Sequence, residues 1–135
     1  MPSLILAVVM NEEYILVFVR SPQAMKKEKK MNDFITPKNH KAFKALVLSS
    51  HIDDEVKDCA IAYIDPRGGG PDPDHTHPHD HLFTVIAGEI EIRMDGETFA
   101  VTEGMSLRVP GETRHSVWNT GPTTAKVMGI SLRKE

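Results

Sequence analysis

An all-β domain, an antiparallel sandwich or barrel that closes as a jelly roll, is what this sequence predicts. Three observations carry the prediction. Short β-branched or alternating segments follow one another through the second half of the chain, tight-turn dipeptides (Asp95-Gly96, Pro110-Gly111, Gly121-Pro122) separate them, and helical spacing occurs in one stretch alone.

Taken in order, Leu4 to Met10 and Tyr14 to Val19 are strand-like, with Asn11 to Glu13 as the turn between them. A hairpin follows, and its sticky edge is expected to pair with the barrel of its own or a neighbouring subunit. Residues 1–30 read either as this β extension or as upstream read-through. In the second case translation begins at Met31, behind a purine-rich codon run over Lys27 and Glu28. Residues 31–135 read as the barrel domain. Asn39 to Ser50, with Phe43, Leu46 and Val47 at helical spacing and a lysine-rich outer face, predicts a short helix. Val56 to Asp65 is β-like, and Leu82 to Ala87, closed by Gly88, is an apolar strand with His81 at its head. Glu89 to Met94 alternates strictly and runs into Asp95-Gly96, a hairpin signal whose return strand is Glu97 to Val101. Gly104 turns the chain into Met105 to Val109. The next strand carries His115, Val117 and Asn119 on one face, and Ala125 to Leu132 is the last.

A chain of 135 residues is one domain, long enough to bury a core without staples. The single cysteine, Cys59, excludes an internal disulfide, reads as a strand residue and fits a reducing, cytoplasmic compartment. A net charge of -3 argues against nucleic acid as a partner, and the basic run Lys26 to Lys30 is too short to change that. No run reaches the ~18 apolar residues of a membrane span, and no signal peptide is marked, so no membrane partner is expected.

Function enters with the histidines. His75, His77, His79 and His81 fall within one internal tract, and His115 lies further on. Neutral imidazole is the commonest protein ligand for divalent transition metals, and residues at i and i+2 of an extended segment point the same way, so His75 and His77 can converge on one ion.

At these positions the chain resembles the cupins. The first cupin motif is matched by Gly69, His75, His77, His81 and Gly88, with His81 standing where the motif has Glu. The second is matched by Gly104, Pro110, His115 and Asn119, with Glu112 at the motif Gly after Pro110 and Gly111 available to take over the turn. The resemblance covers about residues 69 to 119, and the flanking strands fit from Phe34 onward. It implies a jelly-roll or double-stranded β-helix barrel of the small tetra-His type. One divalent metal would be held by His75, His77, His81 and His115, with Mn or Fe first among candidates that include Zn, Ni, Cu and Co. His79 occupies a spacer position, kept out of the ligand set by Pro78, and His40 and His51 read as surface residues.

Exchanging a carboxylate ligand for imidazole leaves the centre at the full +2 charge, a stronger Lewis acid. Three function classes follow. The first is a dioxygenase-like oxidoreductase acting on a small organic substrate; the second is a redox-neutral isomerase or lyase; the third is a non-catalytic metal or ligand binder. No strand face shows an obvious carboxylate beside His81 or His115, which leaves Tyr63 and Arg108 as acid-base candidates. Trp118 alternates away from the histidines and reads as packing in a sheet or subunit interface, in keeping with a homodimer. Asn119 reads as a turn residue and Arg114 as exposed. Phe83, Val85, Met94, Phe99, Val117 and Met128 read as the lining of a small apolar pocket.

Overall fold

The computed structural model describes residues 4–10, 13–19, 33–50 and 54–134, with backbone only for the first two segments. Two compact units divide the chain, Met1–Lys30 and Met31–Glu135. In the first, β1 (Leu4–Met10) and β2 (Glu13–Val19) pair antiparallel from Leu4 opposite Val19 to Met10 opposite Glu13. That is the hairpin expected there. His51, Met31 and the Lys26 to Lys30 run lie outside the described residues.

The second unit is an antiparallel barrel, nearly closed, of eight strands. These are β3 (Lys41–Ser49), β4 (Val56–His75), β5 (Asp80–Ala87), β6 (Glu89–Met94), β7 (Glu97–Thr102), β8 (Ser106–Val109), β9 (His115–Trp118) and β10 (Ala125–Leu132). Their order is β7-β6-β9-β4-β10-β5-β8, with β3 on the other edge of β4. The Asp95-Gly96 turn has both residues at positive φ, 50° and 81°, the twist that joins β6 to β7 directly.

The segment expected to be helical is strand β3. Its lysines and apolar residues satisfy a period of 3.6 on paper, but Phe43, Ala45 and Val47 also alternate, and β4 offers them Ile64, Ala62 and Ala60 in register. Pairing along a whole strand outweighs the weak intrinsic preference of so short a helix.

Strand β4 makes the architecture. Its first half lies between β3 and β10, and its second half turns to pair with β9, Gly69 opposite Trp118 and His75 opposite His115. The turn is at Gly68, Gly69 and Gly70, all buried: Gly69 passes close under β9, Gly68 lies against Ala42, and Gly70 lies against Asn39 and His40. Ile64, Val85, Ile90, Ile92, Val101, Val109, Val117, Ala125 and Val127 form the buried core. Asn119 is 1% exposed and clamps the turn before β10. Its amide donates to the carbonyls of Ile64 (2.8 Å) and Thr123 (2.7 Å) and accepts from the Gly121 N–H (2.8 Å).

At the β8–β9 turn the left-handed residue is Glu112, φ 67°, and not Gly111. Gly111 is small for another reason. A Cβ there would meet the Pro78 carbonyl oxygen at 2.5 Å, and its N–H donates to Asp80. The left-handed region costs a non-glycine residue about 1–2 kcal/mol, and the Glu112 side chain is exposed. Glu112→Gly is therefore expected to stabilise the fold by about 1 kcal/mol, read as a higher urea midpoint at unchanged slope.

Candidate metal centre

Three cross-strand rows build the wall that carries the histidines. Ala45, Ala62 and Val127 form one, Val47, Ala60, Gly129 and Phe83 the next, and Asp58, Ser131 and His81 the third. Because side chains alternate along a strand, every second residue of β3, β4, β5 and β10 enters the interior. There they enclose a cavity of about 430 Å³, closed further by Ile35, Pro37, Val117 and the histidines. Gly129 keeps the middle row open, since a Cβ on it would only reach ordinary contact with Phe83, 3.6 Å away.

Besides His40, a cluster of five histidines lines this cavity: His75, His77, His79, His81 and His115. They come together as two three-histidine groups that share His77. One is His75, His77 and His115, the other His77, His79 and His81, and within each the ligand nitrogens lie within 4.8 Å of one another. Nitrogens bound to a single ion at ~2.1 Å stand at most ~4.2 Å apart, so modest closure converts either group into a ligand set. Of the four residues expected as ligands, His75, His77 and His115 fall in one group and His81 in the other, so the four do not form a single cluster. The His81 and His115 rings are 6.3 Å apart.

The rings are oriented from behind. His115 hydrogen-bonds the Thr113 carbonyl through Nδ1 at 2.9 Å, and His77 hydrogen-bonds the His79 carbonyl through Nδ1 at 3.1 Å. A carbonyl only accepts, so Nδ1 carries the proton in each and Nε2 keeps its lone pair for a metal. His81 is turned the other way, with Nε2 3.3 Å from Ser131 Oγ and Nδ1 3.2 Å from His77 Nε2. The electrostatics suit neutral ligands. Burial, then the His77 and His79 imidazoles, lowers His81 to about 3. Partial burial and the neighbouring His115 and His77 lower His75 to about 4. Burial also lowers His115, against the Thr113 hydrogen bond. His75, His81 and His115 are thus neutral near pH 7, each with one nitrogen lone pair available, the form a metal requires.

Asp80 ties the tract to the β8–β9 turn. Its buried carboxylate accepts from the Gly111 N–H at 2.6 Å and from Arg108 Nε at 3.0 Å, which together hold it below the ordinary carboxylate range. The Glu112 N–H adds a bond to the His77 carbonyl, 2.8 Å. Histidine tract and His115 are fixed to each other by these contacts.

Several residues differ from expectation. His79 is half-buried and its ring stacks on His77 at 4.0 Å, so Pro78 does not keep it away from the cluster. His40, expected at the surface, is half-buried and lines the cavity against Phe43. Tyr63 and Arg108 are absent from the cavity wall: Tyr63 alternates outward between Ala62 and Ile64 and packs on Phe34 and Lys126, while Arg108 is spent on Asp80. A carboxylate does line the cavity, Asp58, in the same row as His81. Strand parity on β4, carried two residues beyond Ala60, would have found it. Of the expected apolar lining, Phe83 and Val117 reach the cavity. Val85 belongs to the buried core and Met94 packs against it. Met128, between Val127 and Gly129, faces the opposite side, and Phe99 lies on β7 away from it. Trp118 lies outside, its ring between Lys41 and Arg93. Arg114 is exposed and paired with Asp74 at 3.0 Å.

Comparison with known proteins supports the same architecture. The family model for the cupin domain matches residues 62–131, just over half of the chain. A polyketide synthase, CurC of Streptomyces cyaneus, is 33% identical over 63 residues, 46% of this chain and 41% of its own. The chain thus spans about two fifths of the length of that curated relative. Among solved structures, the polyketide cyclase RemF from Streptomyces resistomycificus superposes with a TM-score of 0.63 at 17% identity, covering 82% of this chain and 81% of that one. The cupin domain of an XRE-family transcriptional regulator from Enterobacter cloacae gives 0.62 at 17% identity, covering 70% of this chain and all (100%) of that one. At such identities the likeness is one of fold, and it spans both enzymes and regulators.

Proposed function

Because the chain belongs to the cupin family, we propose that it is a metal-dependent, redox-neutral enzyme, with one divalent ion held by His75, His77, His81 and His115. The observation that carries this reading is a cluster of imidazoles set into the wall of a largely apolar cavity that also holds Asp58. Such a cavity suits a small, flat, largely apolar molecule carrying adjacent carbonyl or phenolic oxygens at one end, and the polyketide chemistry in the names of CurC and RemF points to the same class. When bound, the ion supplies Lewis-acid polarisation of those oxygens. Phe83, Val47, Ala60 and Ala62 hold the remainder and exclude water, and Asp58 is placed to accept a proton from the activated carbon and return it elsewhere on the same molecule. Isomerisation, aldol-type cyclisation and elimination all fit this layout without an external oxidant.

Mn²⁺ or Fe²⁺ would be first choices, although an all-imidazole set accepts Zn²⁺, Ni²⁺, Cu²⁺ and Co²⁺ as well. An oxygen-using role would keep the same ligands and is separated by its product. The test is incubation of the metal-loaded chain, and of Asp58→Asn, with hydroxynaphthyl 1,3-diketones, followed by oxygen electrode and product mass. Products without added oxygen atoms, no oxygen uptake, and loss of turnover at unchanged metal content in Asp58→Asn are expected. Oxygen incorporation would return the dioxygenase reading. A homodimer and a cytoplasmic location belong to this proposal too, resting on Ile86 and Met105 left exposed near the β5–β8 edge and on the single free Cys59.

Gly129→Leu provides a separate check on the cavity. Its side chain would fill the middle row beside Phe83, where the added Cβ stands 3.6 Å from that ring and 3.7 Å from His81 Nε2, so binding of a naphthalene-sized fluorescent probe is expected to be lost.

A further inference from the structure

We infer that His79 is a metal ligand in its own right, and that His77, His79 and His81 form a second position for the ion, overlapping the first. This rests on the metal centre proposed above and adds a residue that the cupin motif treats as a spacer.

The geometry is specific to this tract. His77 and His79 are stacked, interplanar angle 5° and centroids 4.0 Å apart, and the ligand nitrogens of His77, His79 and His81 lie within 4.8 Å of one another; because a metal–imidazole bond lies in the ring plane, His79 turns out of the stack to share an ion. His81 closes the group from β5, its ring 5.0 Å from His77 and 5.3 Å from His79. The His77 Nδ1 bond to the His79 carbonyl orients the His77 ring and leaves the His79 ring free to rotate about its own side-chain bonds. Asp58 lines the same cavity, in the cross-strand row that holds Ser131 and His81.

The two positions exclude each other. His77 has committed Nδ1 to a carbonyl and retains one lone pair on Nε2, so it can serve one ion at a time. The chain should therefore bind one ion and not two. Movement between the positions keeps His77 and His81 as ligands throughout and exchanges His79 for His75 and His115. An ion arriving or leaving by this route is never stripped of all its imidazoles, which lowers the barrier to loading.

Cobalt(II) tests this by visible absorption, stoichiometry and stopped-flow uptake. Wild type is expected to take up one Co²⁺ per chain. The folded double variant His75→Ala/His115→Ala should still bind one with an altered spectrum, and adding His79→Ala should abolish that binding. His79→Ala alone should keep one Co²⁺ per chain but load it, and release it to chelator, at least several-fold more slowly. A folded double variant that binds nothing, or binds equally without His79, overturns the second position. If the double variant fails to fold, judged by circular dichroism, the His79→Ala rates decide, and unchanged rates overturn it. Absence of Co²⁺ binding by wild type would instead bring down the metal centre itself.

Discussion

His77→Ala is expected to eliminate divalent-metal binding altogether, the largest effect of any single histidine change. Its ring is the neighbour of all four others, 5.2 Å from His75, 4.0 Å from His79, 5.0 Å from His81 and 4.8 Å from His115. Loss of His75 leaves one three-histidine group intact, and loss of His79 leaves the other, whereas loss of His77 breaks both. An ion present at a hundred times its dissociation constant stabilises a folded chain by about 2.7 kcal/mol. Wild type should gain about that much on adding Zn²⁺ or Mn²⁺ and lose it on chelation. His77→Ala should show the same melting temperature with metal and with chelator. A metal-dependent shift surviving in the variant would mean that the centre does not pivot on this residue.

Gly69→Ala should destabilise the barrel by more than about 4 kcal/mol, a large part of the ~5–15 kcal/mol that holds a domain together. Its φ is +147°, and a Cβ would collide with the Val117 carbonyl oxygen and stand 2.8 Å from Trp118 Cα. Both are backbone atoms of β9, so no rotamer change can make room. Gly104 is the control. Its φ is also positive, +82°, but nothing lies within 4 Å of the added carbon, so Gly104→Ala should cost only about 1 kcal/mol. Urea midpoints of the two variants measure the difference. Comparable losses would show that conformational freedom, and not the close approach of β4 to β9, is what Gly69 provides.

The parts of this molecule legible in its sequence are those governed by neighbours in the chain. The β6–β7 hairpin follows from strict alternation around Asp95-Gly96, and the boundaries of β5, β8, β9 and β10 follow from turn residues. Strand β3 was not legible, because its residues satisfy two periods at once and the choice is made by Ile64, Ala62 and Ala60 on a different strand. The four motif histidines could be read from spacing. His79 and His40 could not, since spacing says nothing of how a turn folds back on its own ring, or of which loop covers a cavity mouth. Asp58 lies outside both motifs and meets His81 only through Ser131, a residue of the last strand. Glu112 shows the opposite case. The motif marked the position, and the structure keeps its left-handed backbone although the glycine is gone.

The place of β10 has a consequence for how the molecule is made. It is the last strand in the chain, yet it lies in the middle of the sheet, between β4 and β5. A nascent chain emerging residue by residue therefore holds two half-sheets with facing unpaired edges until Ala125 to Leu132 arrives. Pairings so distant in sequence close slowly, and exposed edges invite association with other chains in the interval. Assembly is then governed by the timing of one short segment, and Ser131 reaches His81 only at its completion.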